Sequence, residues 1–168
     1  IELLKIDYSD LVYIMVGYEE EKEKYLSLIS KLDLLDCIIP VGQVPSSELA
    51  SYYALADIYI LNSRKASNGD MEGFGISIIE AAMMSKPAIG SKGCGIEDAI
   101  VDGETGLLVQ PNSPIETANA IKKLIENKEL RLSMGTNSRK RAINYFTWDR
   151  VVREVDQLLK KYVYYNYQ

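Results

Sequence analysis

The stretch Glu72-Gly73-Phe74-Gly75 runs straight into Ile76-Ser77-Ile78-Ile79-Glu80-Ala81-Ala82-Met83-Met84, an apolar segment of helical character. A helix starting there leaves its first backbone N–H groups, those of Gly75, Ile76 and Ser77, without intrahelical partners, and the helix dipole adds positive potential at the same end. Glycines at 73 and 75 let the backbone come close to a ligand. Amides and dipole together form an anion site that needs no cation and suits a phosphate or diphosphate. A tight turn with no ligand explains the isolated GxG equally well.

Glu80 is the only charge in that helix, and a helix apolar all round is expected to be covered on every side. A covered carboxylate needs partners, and the vicinal hydroxyls of a ribose would donate two hydrogen bonds to one. A salt bridge to Lys92, or a helix edge in solvent, is the plainer alternative. Glu72 lies eight positions earlier and before the helix, so the two carboxylates flank the anion site instead of sharing a face. Each is placed to take one end of a ligand, although a glutamate in a polar loop is more often simply solvated.

The chain contains no histidine, which excludes from it every mechanism built on an imidazole: Ser/His/Asp, Cys/His and His-ligated metals. Neither a full GxGxxG nor GxxxxGK[ST] is present, so dinucleotide and P-loop readings lack support. A net charge of −5 and a pI near 4.9 argue against nucleic acid, whose backbone calls for a basic face. Cys37 and Cys94 are far apart and form no CxxC, which excludes a zinc site and reads as two small apolar side chains in a reducing compartment. The longest apolar runs, such as 11–16, fall far below the ~18 residues of a membrane span, and no signal peptide opens the chain. A soluble, cytoplasmic protein is expected.

The elements that must position these residues follow from alternation. At 168 residues, 47% hydrophobic and 26% charged, the chain is expected to be one globular domain. Short apolar runs at 11–16, 37–41, 57–61, 87–90 and 105–109 alternate with helical patterns at about 19–32, 46–55, 75–85 and 95–101. That is the pattern of an α/β protein with a doubly wound parallel sheet. Ligands of such sheets bind beyond the carboxyl ends of the strands, so the polar loop 62–71 and the Ser91-Lys92-Gly93-Cys94-Gly95 loop are the places to look. Asp102-Gly103-Glu104-Thr105-Gly106 reads as a structural turn. Ser113-Pro114-Ile115-Glu116 supplies an N-cap, a proline in the first turn and a capping-box glutamate for a helix to about Asn127. Helices at about 129–144 and 147–162 follow, the last capped by Thr147. The tail with Tyr162, Tyr164, Tyr165 and Tyr167 is either a packing surface for another domain or disordered.

These residues resemble the C-terminal, donor-binding domain of family 4 (group 1) glycosyltransferases, which have the GT-B fold. The likeness runs from about residue 11 to 162. It rests on the spaced pair Glu72-Gly73-Phe74-Gly75 to Glu80-Ala81 (E-x7-E), Lys86-Pro87 before a strand, Asp102-Gly103-Glu104-Thr105-Gly106-Leu107-Leu108-Val109 with Pro111, and Phe146-Thr147-Trp148. The resemblance implies a Rossmann-like domain with C-terminal helices, and an enzyme that moves a sugar from a nucleotide diphosphate sugar to a saccharide or lipid-linked acceptor with retention at the anomeric carbon. It gives Glu72 as the catalytic position and Glu72, Phe74 and Gly75 as donor-sugar contacts. Gly75, Ile76 and Ser77 would take the diphosphate, Glu80 the ribose, and Gly42, Gln43 and Val44 the base, with no metal and no cofactor beyond the donor itself.

The chain opens at Ile1 in mid-pattern, and the resemblance places a central strand and a Gly-Arg…Lys-Gly segment before that point. The chain is therefore expected to be a fragment of a two-domain enzyme, inactive alone, whose residues 147–168 pack toward an acceptor-binding N-terminal domain. Cys94-Gly95 stands where the family commonly has Gly-Gly, and Asp98 where it has glutamate. Peripheral membrane association is implied by analogy with members that use lipid-linked acceptors. Two rival readings remain: a glycosidase using Glu72 and Glu80 as its carboxylate pair, and a non-catalytic module that binds a nucleotide or a protein partner.

Overall fold

The computed structural model of the protein describes residues 1–17, 22–65 and 69–165, the last three as backbone only. The start of the expected 19–32 helix, the middle of the 62–71 loop, Tyr167 and the side chains of Tyr164 and Tyr165 lie outside the described residues. In chain order the elements are α1 (Glu2–Lys5), β1 (Tyr13–Val16), α2 (Lys22–Lys31), β2 (Ile38–Gly42), α3 (Ser46–Leu55), β3 (Tyr59–Leu61), α4 (Ile76–Met83), β4 (Ala88–Ser91), α5 (Ile96–Ala99), β5 (Gly106–Val109), α6 (Pro114–Glu126), α7 (Lys128–Tyr145) and α8 (Trp148–Tyr165). Every paired strand is parallel, as the alternation of apolar runs and helices requires.

β3, β4 and β5 form a three-stranded sheet in that order. Side chains of successive residues leave opposite faces of a strand, and both faces here meet apolar neighbours. Ile60, Ile89, Leu107 and Val109 pack with Leu4, Ile121, Leu124 and Met134 of the flanking helices. Leu61, Ala88 and Leu108 pack with Ile78, Ile96 and Ile100 on the other side. Burial of the whole of β4 follows, which is why its sequence reads as a continuous apolar run instead of an alternating one.

The expected single sheet is divided. β1 pairs only with β2, β3 only with β4, and residues such as Tyr13, Ile38, Asn62, Ser63 and Ile121 line a cavity of about 500 Å³ between the two groups. No ladder joins β1 to β3. The smaller sheet has its own core of Ile29, Leu34, Cys37 and Ile38. Pro40, which cannot donate to a ladder, is tolerated because β2 is an edge strand and the β1–β2 register shifts beside it.

The C-terminal helices are tied to the sheet by specific caps. Ser113 accepts from the Glu116 amide at 3.3 Å, but the capping box is only half made, because Glu116 Oε2 accepts from the Gln110 amide at 2.9 Å instead of reaching back to Ser113. The 102–106 segment is the expected turn, with the Leu108 amide donating to Asp102 Oδ1 and the Val101 amide to Thr105 Oγ1. α8 stands apart: every side chain described from Val151 to Tyr162 is exposed.

Candidate functional site

Register brings the carboxyl ends of β3 and β4 to one edge, with Leu61 beside Gly90. The loops that leave them are stitched together. The Ser63 amide donates to the buried Ser91 hydroxyl at 2.9 Å, and the Gly95 amide donates to the Glu72 carbonyl at 3.2 Å. A Cβ at position 95 would lie 1.6 Å from the Gly73 carbonyl oxygen, so only glycine permits this approach. The loop after β4 thus closes on the loop after β3, as the sequence led one to expect.

Gly75 turns the chain into α4 with a left-handed φ of 76°, a conformation costly for any residue with a Cβ. Its amide is not free for a ligand, because it donates to Glu72 Oε1 at 3.1 Å. The expected three-amide anion site is therefore narrower: a glutamate three residues upstream takes one donor, and the Ile78 amide closes back on the Gly75 carbonyl. Among the described residues the amides of Ile76 and Ser77 carry no hydrogen bond, the ordinary state of a first helical turn. The Phe74 ring is half-buried and lies edge-on to Phe146, with centroids 5.3 Å apart.

Glu80 corrects the expectation of a covered carboxylate. α4 buries Ile78, Ala81 and Ala82 and turns out a second stripe of Ile76, Glu80 and Met83, with Ile76 71% exposed. Eight residues packed on one side of a narrow sheet cannot all be buried, however apolar they are. Glu80 is exposed but not unpartnered: Tyr53 of α3 donates its hydroxyl to Glu80 Oε2 at 2.7 Å. Burial and the Glu80 hydrogen bond push the Tyr53 phenol well above its ordinary value, keeping it a donor at neutral pH. Neither alternative from the sequence is met in full, since Glu80 shows no bridge to Lys92 among the described residues yet is not a bare helix edge.

Tyr59 begins β3. Burial raises its pKa foremost, a hydrogen bond from Ser77 opposes this, and both Glu80 and Glu72 add to the rise. Glu72, Ser77 and Glu80 therefore lie within electrostatic reach of one phenol. Gly42, Gln43 and Val44 follow β2 in the smaller sheet. Gly42 is buried and its carbonyl accepts from the Gly17 amide, whereas exposed Gln43 and half-buried Val44 connect to the site through α3, which packs on α4.

Two supports had no signal in the sequence. Arg141 of α7 donates to the Asp98 carbonyl at 2.8 Å and lies over the Phe146 ring, whose edge holds Phe74. Tyr53 lies 27 residues from Glu80 on a helix without a buried residue. Only tertiary packing brings either to the site.

A family model for glycosyl transferases group 1 matches residues 1–141. The chain belongs to that family. This group 1 chain is 28% identical over 161 residues to the GDP-mannose-dependent alpha-(1-6)-phosphatidylinositol monomannoside mannosyltransferase of Mycobacterium tuberculosis, covering 93% of the chain and 40% of that protein. A glycosyltransferase from Rickettsia africae superposes with a TM-score of 0.81 at 26% identity over 95% of the chain and 42% of its own. HepE from Anabaena, in complex with UDP and glucose, shares the fold with a TM-score of 0.78 at 24% identity, over 89% of the chain and 40% of its own. The group 1 chain spans 30–40% of the length of the curated relatives it matches. The fold is the Rossmann-like α/β architecture of a GT-B half.

Proposed function

We propose that this chain is the donor-binding domain of a retaining glycosyltransferase that transfers a sugar from a nucleotide diphosphate sugar to a saccharide or lipid-linked acceptor. The observation that carries the reading is the start of α4: the amides of Ile76 and Ser77, without a hydrogen bond among the described residues, at the carboxyl edge of a parallel sheet, flanked by Glu72 and Glu80, in a chain of this family. The helix start takes the diphosphate through those amides and its dipole. Glu72, with the Phe74 backbone and the remaining lone pair of the Gly75 carbonyl, holds the donor sugar's hydroxyls, so its carboxylate stands beside the developing positive charge at the anomeric carbon. Glu80 takes the ribose, and Gln43 and Val44 with the Gly42 backbone take the base. The GDP-mannose dependence of the mycobacterial relative and the UDP and glucose held by HepE support a nucleotide sugar as donor.

The acceptor binds a second, N-terminal domain, toward which the exposed apolar stripe of α8 packs, and this chain alone is inactive. The intact enzyme works in the cytoplasm, in peripheral contact with a membrane where its acceptor is lipid-linked. Among the described residues no helix is long and apolar enough to cross a membrane. The test is transfer by the intact protein with Glu72→Gln. The expected result is a fall in kcat of ~10²-fold or more with a stable fold, and NMR of the wild-type product showing the donor's anomeric configuration kept. Undiminished transfer by the variant overturns the role of Glu72 and favours a non-catalytic module. An inverted product overturns retention.

A further inference from the structure

We propose that Tyr53 is a positioning residue for the nucleotide: its hydroxyl fixes Glu80 Oε2 and leaves Oε1 aimed at the ribose hydroxyls of the donor. The inference rests on the ribose reading of Glu80 given above. Glu80 stands on the exposed stripe of α4, where a long side chain with three rotatable bonds samples several rotamers unless something holds it. The Tyr53 hydroxyl does so, donating to Oε2 at 2.7 Å, a short, charge-assisted bond.

Tyr53 is itself held. Its ring meets the Tyr59 ring edge-on, with centroids 5.6 Å apart and planes at 62°, and its helix α3 packs on α4. Tyr59 in turn belongs to β3, the strand that leads into the Glu72 loop, so the brace is referred to the sheet that carries the site. The choice of donor also matters. A carboxylate has about four lone-pair positions, of which the phenol uses one. No cation bridges Glu80 among the described residues, so Oε1 keeps its capacity for two hydroxyl donors. A lysine in the same place would orient Glu80 but neutralise it.

Positioning by Tyr53 makes a specific demand: it matters only to ligands that use Glu80. The experiment is calorimetric titration of the intact protein with UDP, GDP and ADP, and with the 2′,3′-dideoxy counterpart of whichever binds, in the wild type, Tyr53→Phe and Glu80→Gln. Tyr53→Phe is expected to raise the Kd for the ribonucleotide roughly three- to tenfold, the cost of ordering a free side chain on binding, and to leave the dideoxy nucleotide unchanged. The ratio of the two affinities is internal to each variant, so partial unfolding does not mimic the effect. Equal weakening of both nucleotides by Tyr53→Phe assigns Tyr53 a general structural role and overturns the proposal. A selective loss in Glu80→Gln with none in Tyr53→Phe overturns it while the ribose reading stands. No selectivity in Glu80→Gln overturns the ribose reading itself, and the proposal with it.

Discussion

Gly75 and Gly95 make opposite kinds of demand at the same crevice. At Gly75 the conformation is the constraint, with φ at 76° and a would-be Cβ 3.0 Å from the flexible ends of Ile78 and Leu61. Gly75→Ala is expected to lower stability by about 1–2 kcal/mol, measured by thermal or urea unfolding. At Gly95 space is the constraint, and Gly95→Ala must push the Glu72–Gly73 backbone aside. Its expected signature is a loss of nucleotide affinity out of proportion to the loss of stability. Both glycines were legible in the sequence, as was the Glu72–Glu80 pair, because a turn into an apolar helix is a local signal. The exposure of Glu80 was not, since composition alone does not tell which stripe of α4 the sheet covers. Tyr53 also makes a pH prediction. Its folded pKa is raised, so from about pH 10 upward the unfolded chain gives up a proton that the folded chain keeps, and stability falls as pH rises. Tyr53→Phe should make that alkaline decline shallower in melting experiments between pH 8 and 11.

α4 is braced at both ends by α7 and its continuation. Arg139 donates to the Met83 carbonyl, Ser138 Oγ donates to the Lys86 carbonyl at 3.1 Å, and Gly135 lets the Ser85 carbonyl approach so closely that a Cβ would lie 2.1 Å from it. These bonds satisfy the orphan carbonyls beyond a helix end. At the other end the Phe74–Phe146 contact holds the glycine turn. Phe146→Ala is therefore expected to cost about 2–3 kcal/mol of stability and to raise the donor KM more than it lowers kcat, because the turn loses its backing while Glu72 remains. Steady-state kinetics beside a melting curve checks both halves. The elements themselves were largely readable: the five apolar runs became strands with ends moved by a residue or two. α1, a single turn, carries too little periodicity to read, and nothing local marks a contact between Phe74 and Phe146.

At the scale of the whole molecule, sequence alternation gave the fold class and parallel direction but not the division into two sheets, because alternation marks strands without saying which of them pair. The helix expected at about 147–162 is α8, which presents Trp148, Val151, Val152, Val155, Leu158, Leu159 and Tyr162 to solvent, Trp148 at 82% exposure. Since those side chains stand clear of the sheets, Val155→Ser with Leu159→Ser should change the unfolding free energy of this chain by no more than about 0.5 kcal/mol. In the intact protein the same pair should lower the melting temperature if α8 packs on the N-terminal domain. Everything proposed for the site depends on the start of α4 binding a nucleotide sugar. Calorimetric titration of the intact protein with UDP-, GDP- and ADP-sugars, in the wild type and Gly95→Ala, tests this most directly. The expected result is saturable binding of at least one donor, weakened roughly tenfold or more in the variant. No binding of any donor by the folded wild type, or equal affinity in the folded variant, would contradict it.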